Sequence, residues 1–208
     1  MDCLRDIITL LKDLVTIFAA GTAAFIAIRG YDIWKKQLRG KTEYELARRL
    51  LHSVYRVREA IRLVRKPVHS MAETRLAMQE AELEMELSDL LDPQHYAMRQ
   101  DAVYAQRWRR FEETFRGLEV DVFEAEVLWG QDIVAALEPL RQYTTTLGAS
   151  IGLYLHNLSD ENMQQSEAQA DEARRIIYSR DQDDEFGEGI QKAVETVENV
   201  LKPYLTLQ

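Results

Sequence analysis

The sequence predicts an all-α protein, in which a single N-terminal transmembrane helix is followed by a cytoplasmic antiparallel helical bundle. Three observations lead to this prediction. Only 9 glycines and 4 prolines occur among 208 residues, and apolar residues recur at helical spacing instead of alternating as in strands. The run at 14–28 carries no charged side chain. A basic segment follows this run, and the rest of the chain is acidic.

The run at 14–28 is the expected membrane anchor. Extended to residues 7–28 it would be about 33 Å long as a helix, enough to cross roughly 30 Å of hydrocarbon. Lys12 and Asp13 interrupt its start, so a buried core helix, an interfacial helix and a signal peptide are alternatives. A signal peptide carries its basic residues before the apolar run, whereas here they come after it.

The residues just beyond the run fit a membrane interface. Aromatic side chains are enriched where lipid meets water, and basic residues mark the cytoplasmic side. The expected interface residues are Tyr31, Trp34, Lys35, Lys36 and Arg39. We therefore expect a single-pass protein of the cell membrane with its N-terminus outside and its C-terminal domain in the cytoplasm.

Small residues within the run could form a packing face between helices. Spacings of four between such residues let two membrane helices approach closely. The residues concerned are Ala19, Ala20, Gly21, Ala23 and Ala24. This pattern favours a homo-oligomer, although alanine and glycine are also simply common in membrane helices.

Charge divides the chain into three expected parts. Residues 1–28 form the anchor, residues 29–66 a basic juxtamembrane region and amphipathic helix, and residues 67–208 an acidic bundle that packs with 42–66. The middle part holds 12 basic and 4 acidic residues, whereas the last part holds 12 basic and 28 acidic residues. The net charge of −9 hides this asymmetry.

The helix expected at 42–66 has an apolar face and a basic face. Thr42 with Glu45 has the spacing of an N-terminal capping box, and Pro67 marks the end. The apolar face comprises Leu46, Leu50, Val54, Val57, Ile61 and Val64. The basic face comprises Arg48, Arg49, Arg56, Arg62 and Lys66. Such a face could contact anionic lipid, an acidic surface of the same chain or a partner, or nucleic acid, or could simply be solvated. The acidity of the whole chain disfavours nucleic acid.

Further helices are expected at 69–91, 95–129, 132–158 and 188–205. In the first, Leu76, Leu83, Leu87 and Leu90 share one face, and Met71, Met78 and Met85 another. Pro139 should kink or split the third. In the last, the apolar face comprises Ile190, Val194, Val197, Leu201 and Tyr204. Residues 159–172 are expected to be a loop that leads into a helix through Tyr178, and the stretch 181–189 is expected to be an acidic loop.

The helix at 95–129 carries the most regular pattern in the chain. Its apolar residues recur at alternating spacings of four and three, which is a coiled-coil seam. The seam comprises Tyr104, Trp108, Phe111, Phe115, Leu118, Val122, Ala125 and Trp129. Neighbouring helices of the same chain can cover it, so the pattern predicts an intramolecular bundle.

No motif points to catalysis or to a bound cofactor. Cys3, the only cysteine, cannot form an internal disulfide, and no histidine follows a glutamate at the spacing of a di-metal bundle site. The acidic stretch lacks the glycine and glutamate of a calcium loop. We therefore expect no enzyme, no cofactor and no metal.

These observations predict a membrane-anchored helical protein that acts through protein–protein contact, as a scaffold, sensor or regulatory adaptor. Its expected partners are the lipid bilayer, further copies of itself and an unknown protein. The alternative is an oligomeric membrane effector or pore-forming component that uses the N-terminal helix.

Overall fold

The computed structural model describes residues 2–83, 92–159, 167–179 and 184–206, without the side chains at 2–15, 17, 19, 20, 32, 167 and 168. All of its regular secondary structure is helical, which confirms the expected all-α class. The helices are α1 (Asp2–Val64), α2 (Met71–Glu80), α3 (Tyr96–Trp129), α4 (Gln131–Ser159), α5 (Glu167–Ile177) and α6 (Glu185–Leu205). A 3-10 turn, Pro93–His95, precedes α3.

Helix α1 is one continuous helix where the sequence suggested a new start at residue 42. The capping box expected there is wrong, because the Thr42 hydroxyl donates to the carbonyl oxygen of Leu38 inside the helix (3.0 Å). A threonine can satisfy its hydroxyl in this way without ending a helix. Residues 1–45 and 46–208 form two separate compact units, which we call the N-terminal unit and the bundle unit.

Four helices of the bundle unit enclose its main core. The part of α1 beyond residue 45 contributes the whole apolar face expected from the sequence. Helices α3, α4 and α6 contribute most of the rest, and α5 adds Ala173 and Ile177. On α3, Tyr104, Phe111 and Leu118 are buried, while Trp108 and Phe115 pack at the core's edge. The sequence-based seam is thus confirmed as an intramolecular packing surface. The apolar face expected on α6 is confirmed as well.

Contacts between side chains show that neighbouring helices of this core run antiparallel. The start of the bundle-unit part of α1 meets the late part of α3 through Arg49 and Asp121 (2.9 Å). Helices α3 and α4 are linked by Arg141 and Glu119 (2.7 Å) and are joined by Gly130, whose φ of 74° suits glycine. Helices α1, α3, α4 and α6 therefore form an up-down-up-down arrangement.

Helix α2 differs from the expectation. It ends at Glu80, and Leu76, expected on its apolar face, is exposed. The buried residues are instead Thr74, Ala77 and Met78, which pack against the start of α3. Leu83 is also exposed, while Met85, Leu87 and Leu90 lie outside the described residues. The expected apolar face of α2 was wrong because the helix is too short for its apolar pattern to define a face.

Two further expectations concerned prolines and loops. Helix α4 continues through Pro139 without being split. Helix α6 begins at Glu185, three residues before the expected start, because Asp184 caps it by accepting from the N–H of Gly187 (3.0 Å). Helix α5 (Glu167–Ile177) confirms the helix expected to lead to Tyr178, although it begins inside the stretch 159–172.

Candidate functional site

The most exposed apolar surface of the described chain lies on α1 in the N-terminal unit. Every described side chain from residue 21 to residue 42 is exposed. Large apolar side chains are included, among them Phe25, Ile26, Ile28 and Trp34. An exposed apolar surface of this extent marks an interaction site for lipid or protein.

The membrane-span residues are only partly described. Ala19 and Ala20 lie outside the described side chains, while Gly21, Ala23 and Ala24 are exposed. A methyl group added at Gly21 would meet no atom within 4 Å. Within the described residues, no helix combines the length and apolarity that crossing a membrane requires.

The five expected interface residues share one exposed stretch. The rings of Tyr31 and Trp34 lie 6.1 Å apart between centroids. Lys35 and Lys36 are exposed, and neither forms an ion pair with a described residue. Arg39 donates to Glu43 one turn later (2.8 Å). Three basic residues thus extend into solvent beside two aromatic rings, which suits an anionic or lipid surface.

The expected basic face is exposed, but its members differ in their partners. Arg49 binds two carboxylates of α3, those of Asp121 and Glu124, and Arg62 lies 3.6 Å from Glu59. Ion pairs of this exposed kind contribute little to stability. By contrast, Arg48, Arg56 and Lys66 make no ion pair within the described part of the chain. Among the five residues of the basic face, these three remain available to an external anion.

Two buried arginines that were not predicted from the sequence stabilise the end of the bundle at which α1 stops. Arg65 donates to both carboxylate oxygens of Asp184 (2.8 and 2.6 Å) and to the carbonyl oxygen of Ile176 (2.7 Å). Its guanidinium also lies 5.0 Å from the ring centre of Phe186. It therefore joins the end of α1 to α5 and α6. Its only sequence signal was its place just after the last apolar residue of α1.

Asp184 is held as a carboxylate at this junction. Burial raises its pKa, but hydrogen bonds from Arg65 and from the N–H of Gly187 outweigh this effect, and the pKa falls below its ordinary value. Since a buried bidentate pair leaves an uncompensated charge when one partner is removed, both partners matter for packing.

The second buried arginine, Arg107, fixes the segment between α1 and α2. It donates to Glu73 (2.7 and 3.1 Å) and to the carbonyl oxygen of Lys66 (2.6 Å). The hydrogen bond from Arg107 is the main reason that the pKa of Glu73 is lowered. Nearby, the side-chain amide nitrogen of Gln100 lies 3.3 Å from Nε2 of His69. Burial, with Arg107 and Arg99, lowers the pKa of His69.

Tyrosine side chains form a third polar contact within the bundle unit. Tyr178 donates to the hydroxyl of Tyr154 (2.9 Å), and the ring of Tyr104 meets that of Tyr154 edge to face, with 5.9 Å between centroids. Burial raises the pKa of both Tyr104 and Tyr154. These phenols stay protonated at neutral pH and serve packing.

Metal-ligating side chains are scattered over the described residues. Among them, no three His, Cys, Asp or Glu side chains are grouped closely enough to hold a metal ion. An exposed surface that is both apolar and basic lies on α1. Comparison of the chain with protein families, with curated proteins and with solved structures finds no match.

Proposed function

We propose that the chain is a membrane-anchored helical protein that acts through protein–protein contact. In this proposal the run at 14–28 crosses the bilayer once, and the bundle unit lies in the cytoplasm. The bundle is a scaffold, sensor or regulatory adaptor whose protein partner is unknown. Each part of the proposal has its own support.

The observation that carries the proposal is the apolar circumference of α1 at 21–28. Phe25, Ile26 and Ile28 project in different directions, because successive residues of a helix are turned by about 100°. All three are exposed. A helix that is apolar all round requires an apolar environment on every side. Lipid provides such an environment, whereas a groove on one partner covers only one face.

The basic stretch after residue 28 supports the orientation. Arg29, Lys35, Lys36, Arg39 and Lys41 are all exposed. Basic residues close to a span remain on the cytoplasmic side. Two basic residues, at positions 5 and 12, precede the run and oppose this orientation, but they are fewer than the five that follow it.

The bundle unit carries a surface that supports protein contact. Val120, Phe123 and Val127 form an exposed apolar stripe on α3, opposite its core face. Val127 is 84% exposed. Apolar side chains grouped in this way are typical of interaction surfaces. The stripe is small, which fits a reversible contact better than a permanent one.

An oligomeric membrane effector or pore is the second candidate. The open space around Gly21, where an added methyl group would meet nothing within 4 Å, would permit close approach of another helix. Leakage of a small dye from vesicles containing the protein would favour this candidate. A vesicle that stays sealed at high protein density would favour the simple anchor.

Alkaline carbonate extraction of membranes from expressing cells tests the anchor. We expect the full chain to stay in the pellet, because carbonate releases peripheral proteins only. An arginine near the centre of a membrane helix costs about 2.5–3.5 kcal/mol, so Ala23→Arg should move the protein to the supernatant. The matched control is Gln37→Arg, which adds the same charge at an exposed position outside the run.

Release of the unaltered chain by carbonate would contradict the anchor. Equal retention of Ala23→Arg and Gln37→Arg would contradict the placement of the span at 14–28. Protease protection of the bundle in intact spheroplasts, with exposure after lysis, is the expected result for a cytoplasmic domain. Digestion from outside would overturn the orientation.

A further inference from the structure

A narrow apolar seam runs along the described part of the N-terminal unit. Its residues recur at spacings of three, four, three and four, and we call them the α1 seam: Ala24, Ala27, Tyr31, Trp34 and Leu38. The three large members are 60%, 57% and 51% exposed. This alternation is the pattern with which two helices pack side by side. Continued backwards in the sequence, the same spacing reaches Ala20 and Ile17.

We propose that the α1 seam binds the same seam of a second copy of this chain, parallel and in register. The inference rests on the proposed membrane anchor, which would hold both copies in one orientation. It adds the identity of the partner and of the contacting residues. The seam extends beyond residue 28, so it differs from the small-residue face and from a surface that only lipid would cover.

The positions of the charged residues favour a second copy. Arg29 and Lys36 lie on the side of α1 opposite the seam, since each is turned about 160–180° from its middle. Arg39 lies at about 100° from the middle of the seam and is already paired with Glu43. Lys35 is turned about 60° from the middle of the seam and lies at its edge. Two parallel copies therefore meet along the seam while Arg29, Lys36 and Arg39 point away from the contact. Like charges on facing helices would otherwise repel each other.

The C-terminal end of the α1 seam is also consistent with a parallel pair. The same spacing beyond Leu38 leads to Lys41 and Glu45, whose charged groups lie 3.9 Å apart in one helix. Polar residues at seam positions fix the register of paired helices at a cost in stability. The apolar contact therefore ends at Leu38, and Lys41 and Glu45 allow exchange of ion pairs between copies.

The area of the seam explains why the pair would need the membrane. Tyr31, Trp34 and Leu38 expose on the order of 300 Å² per copy, or roughly 600 Å² for the pair, which is below the 1,200 Å² typical of stable interfaces. Confinement of both helices in one bilayer raises their effective concentration and removes part of the entropic cost. We therefore expect pairing in membranes and dissociation on dilution into detergent.

Disulfide cross-linking in membranes tests the seam. In a Cys3→Ser background, single cysteines are placed in the full chain at seam positions (Tyr31→Cys, Trp34→Cys, Leu38→Cys) and at outward positions (Ile33→Cys, Lys36→Cys, Arg39→Cys). Membranes are oxidised with copper phenanthroline. Two Cα atoms more than about 7 Å apart cannot be bridged, so the seam variants should form dimers roughly tenfold more than the outward variants do.

The outcomes separate this inference from the anchor itself. Membrane-bound protein whose seam cysteines cross-link no better than outward cysteines would overturn the seam and leave the anchor standing. Cross-linking at one seam position alone would indicate an antiparallel pair and contradict the register. Cross-linking to a different protein would replace the second copy as the partner. Protein that fails to sediment with membranes but still forms seam dimers would contradict the anchor and support the seam.

Discussion

The indole of Trp108 determines how closely α3 and α4 approach each other. Its Nε1 donates to Glu112 (3.0 Å), which holds the ring against the backbone of Gly148. A methyl group at position 148 would lie 2.9 Å from two ring carbons. We expect Gly148→Ala to lower the free energy of unfolding by about 1–2 kcal/mol, since overpacking costs about 1–3 kcal/mol and alanine regains part of it as helix propensity. Urea denaturation measures the change.

Gly152, one turn further along α4, provides the control. A methyl group there would meet nothing within 4 Å, so only helix propensity changes. Gly152→Ala should therefore stabilise the protein by about 0.5–1 kcal/mol. Opposite signs for the two alanine variants are the expected result. A stabilising effect at both positions would show that the Trp108 ring moves at little cost.

At this scale the sequence predicted apolar residues better than polar or small ones. Trp108 lay on the expected seam because periodicity alone places it there. Gly148 gave no signal, because a glycine within an apolar helix looks the same whether or not a ring lies over it. Arg65 and Arg107 looked like ordinary surface cations. Their burial depends on Asp184 and Glu73, which are far away in the sequence, and so only the folded structure reveals it.

Among the elements, the connection to α2 is the one we expect to respond to pH. His69 lies in this connection, and its pKa is lowered from the ordinary value of 6.5 by burial and by Arg107. The folded protein therefore binds fewer protons there than the unfolded chain. Its contribution to stability is complete above about pH 6.5 and is lost as the pH falls through that value towards the folded pKa. Protonation would also remove the ring nitrogen that accepts from Gln100.

The free energy of unfolding should accordingly decrease between pH 7.5 and pH 5.5, and His69→Gln should decrease less. The exposed His156 of α4 serves as the matched control, and His156→Gln should keep the pH dependence of the unaltered protein. Hydrogen exchange, corrected for its intrinsic pH dependence, should show the loss of protection first in α2. An identical pH dependence in both glutamine variants would contradict the role of His69.

The long helices α3 and α4 were predicted to within one residue at each end, whereas the helix start at residue 42 and the short helix α2 were predicted wrongly. The seam of α3 extends over many turns, so its apolar positions define one face whatever the neighbours are. Helix α1 shows the opposite case, because a threonine followed three residues later by a glutamate resembles a helix start even where the helix simply continues. Helix α2 has too few turns for its pattern to define a face. Tertiary contacts such as that of Arg107 with Glu73 settle its orientation instead.

For the whole molecule, the two compact units divide the chain at the point where packing begins. All described residues of the main core come from residue 46 onward. Before that point α1 carries two ion pairs between successive turns, Arg39 with Glu43 and Lys41 with Glu45. Such pairs add a few tenths of a kcal/mol each to a helix. They reduce fraying of the first core turn, which holds Leu46.

A fragment of residues 39–208 should therefore fold as the full chain does. Its midpoint of thermal unfolding should fall by no more than roughly 2–4 °C, the shift that about 1 kcal/mol produces in a domain of 150–250 residues. Circular dichroism of both proteins in the same detergent measures the difference. If the proposed anchor is correct, the fragment also stays in solution when the detergent is removed, whereas the full chain does not.

The comparison fragment, residues 53–208, shows whether the boundary has been placed correctly. It lacks the buried Leu46 and Leu50 and the Arg49 guanidinium that binds Asp121 and Glu124. Losing a buried leucine costs about 2–5 kcal/mol, and two such losses approach the whole stability of a typical domain. We expect this shorter fragment to lose cooperative unfolding. Equal midpoints for the two fragments would mean that the core extends less far along α1, and failure of 39–208 to fold would mean that the N-terminal unit contributes to the core.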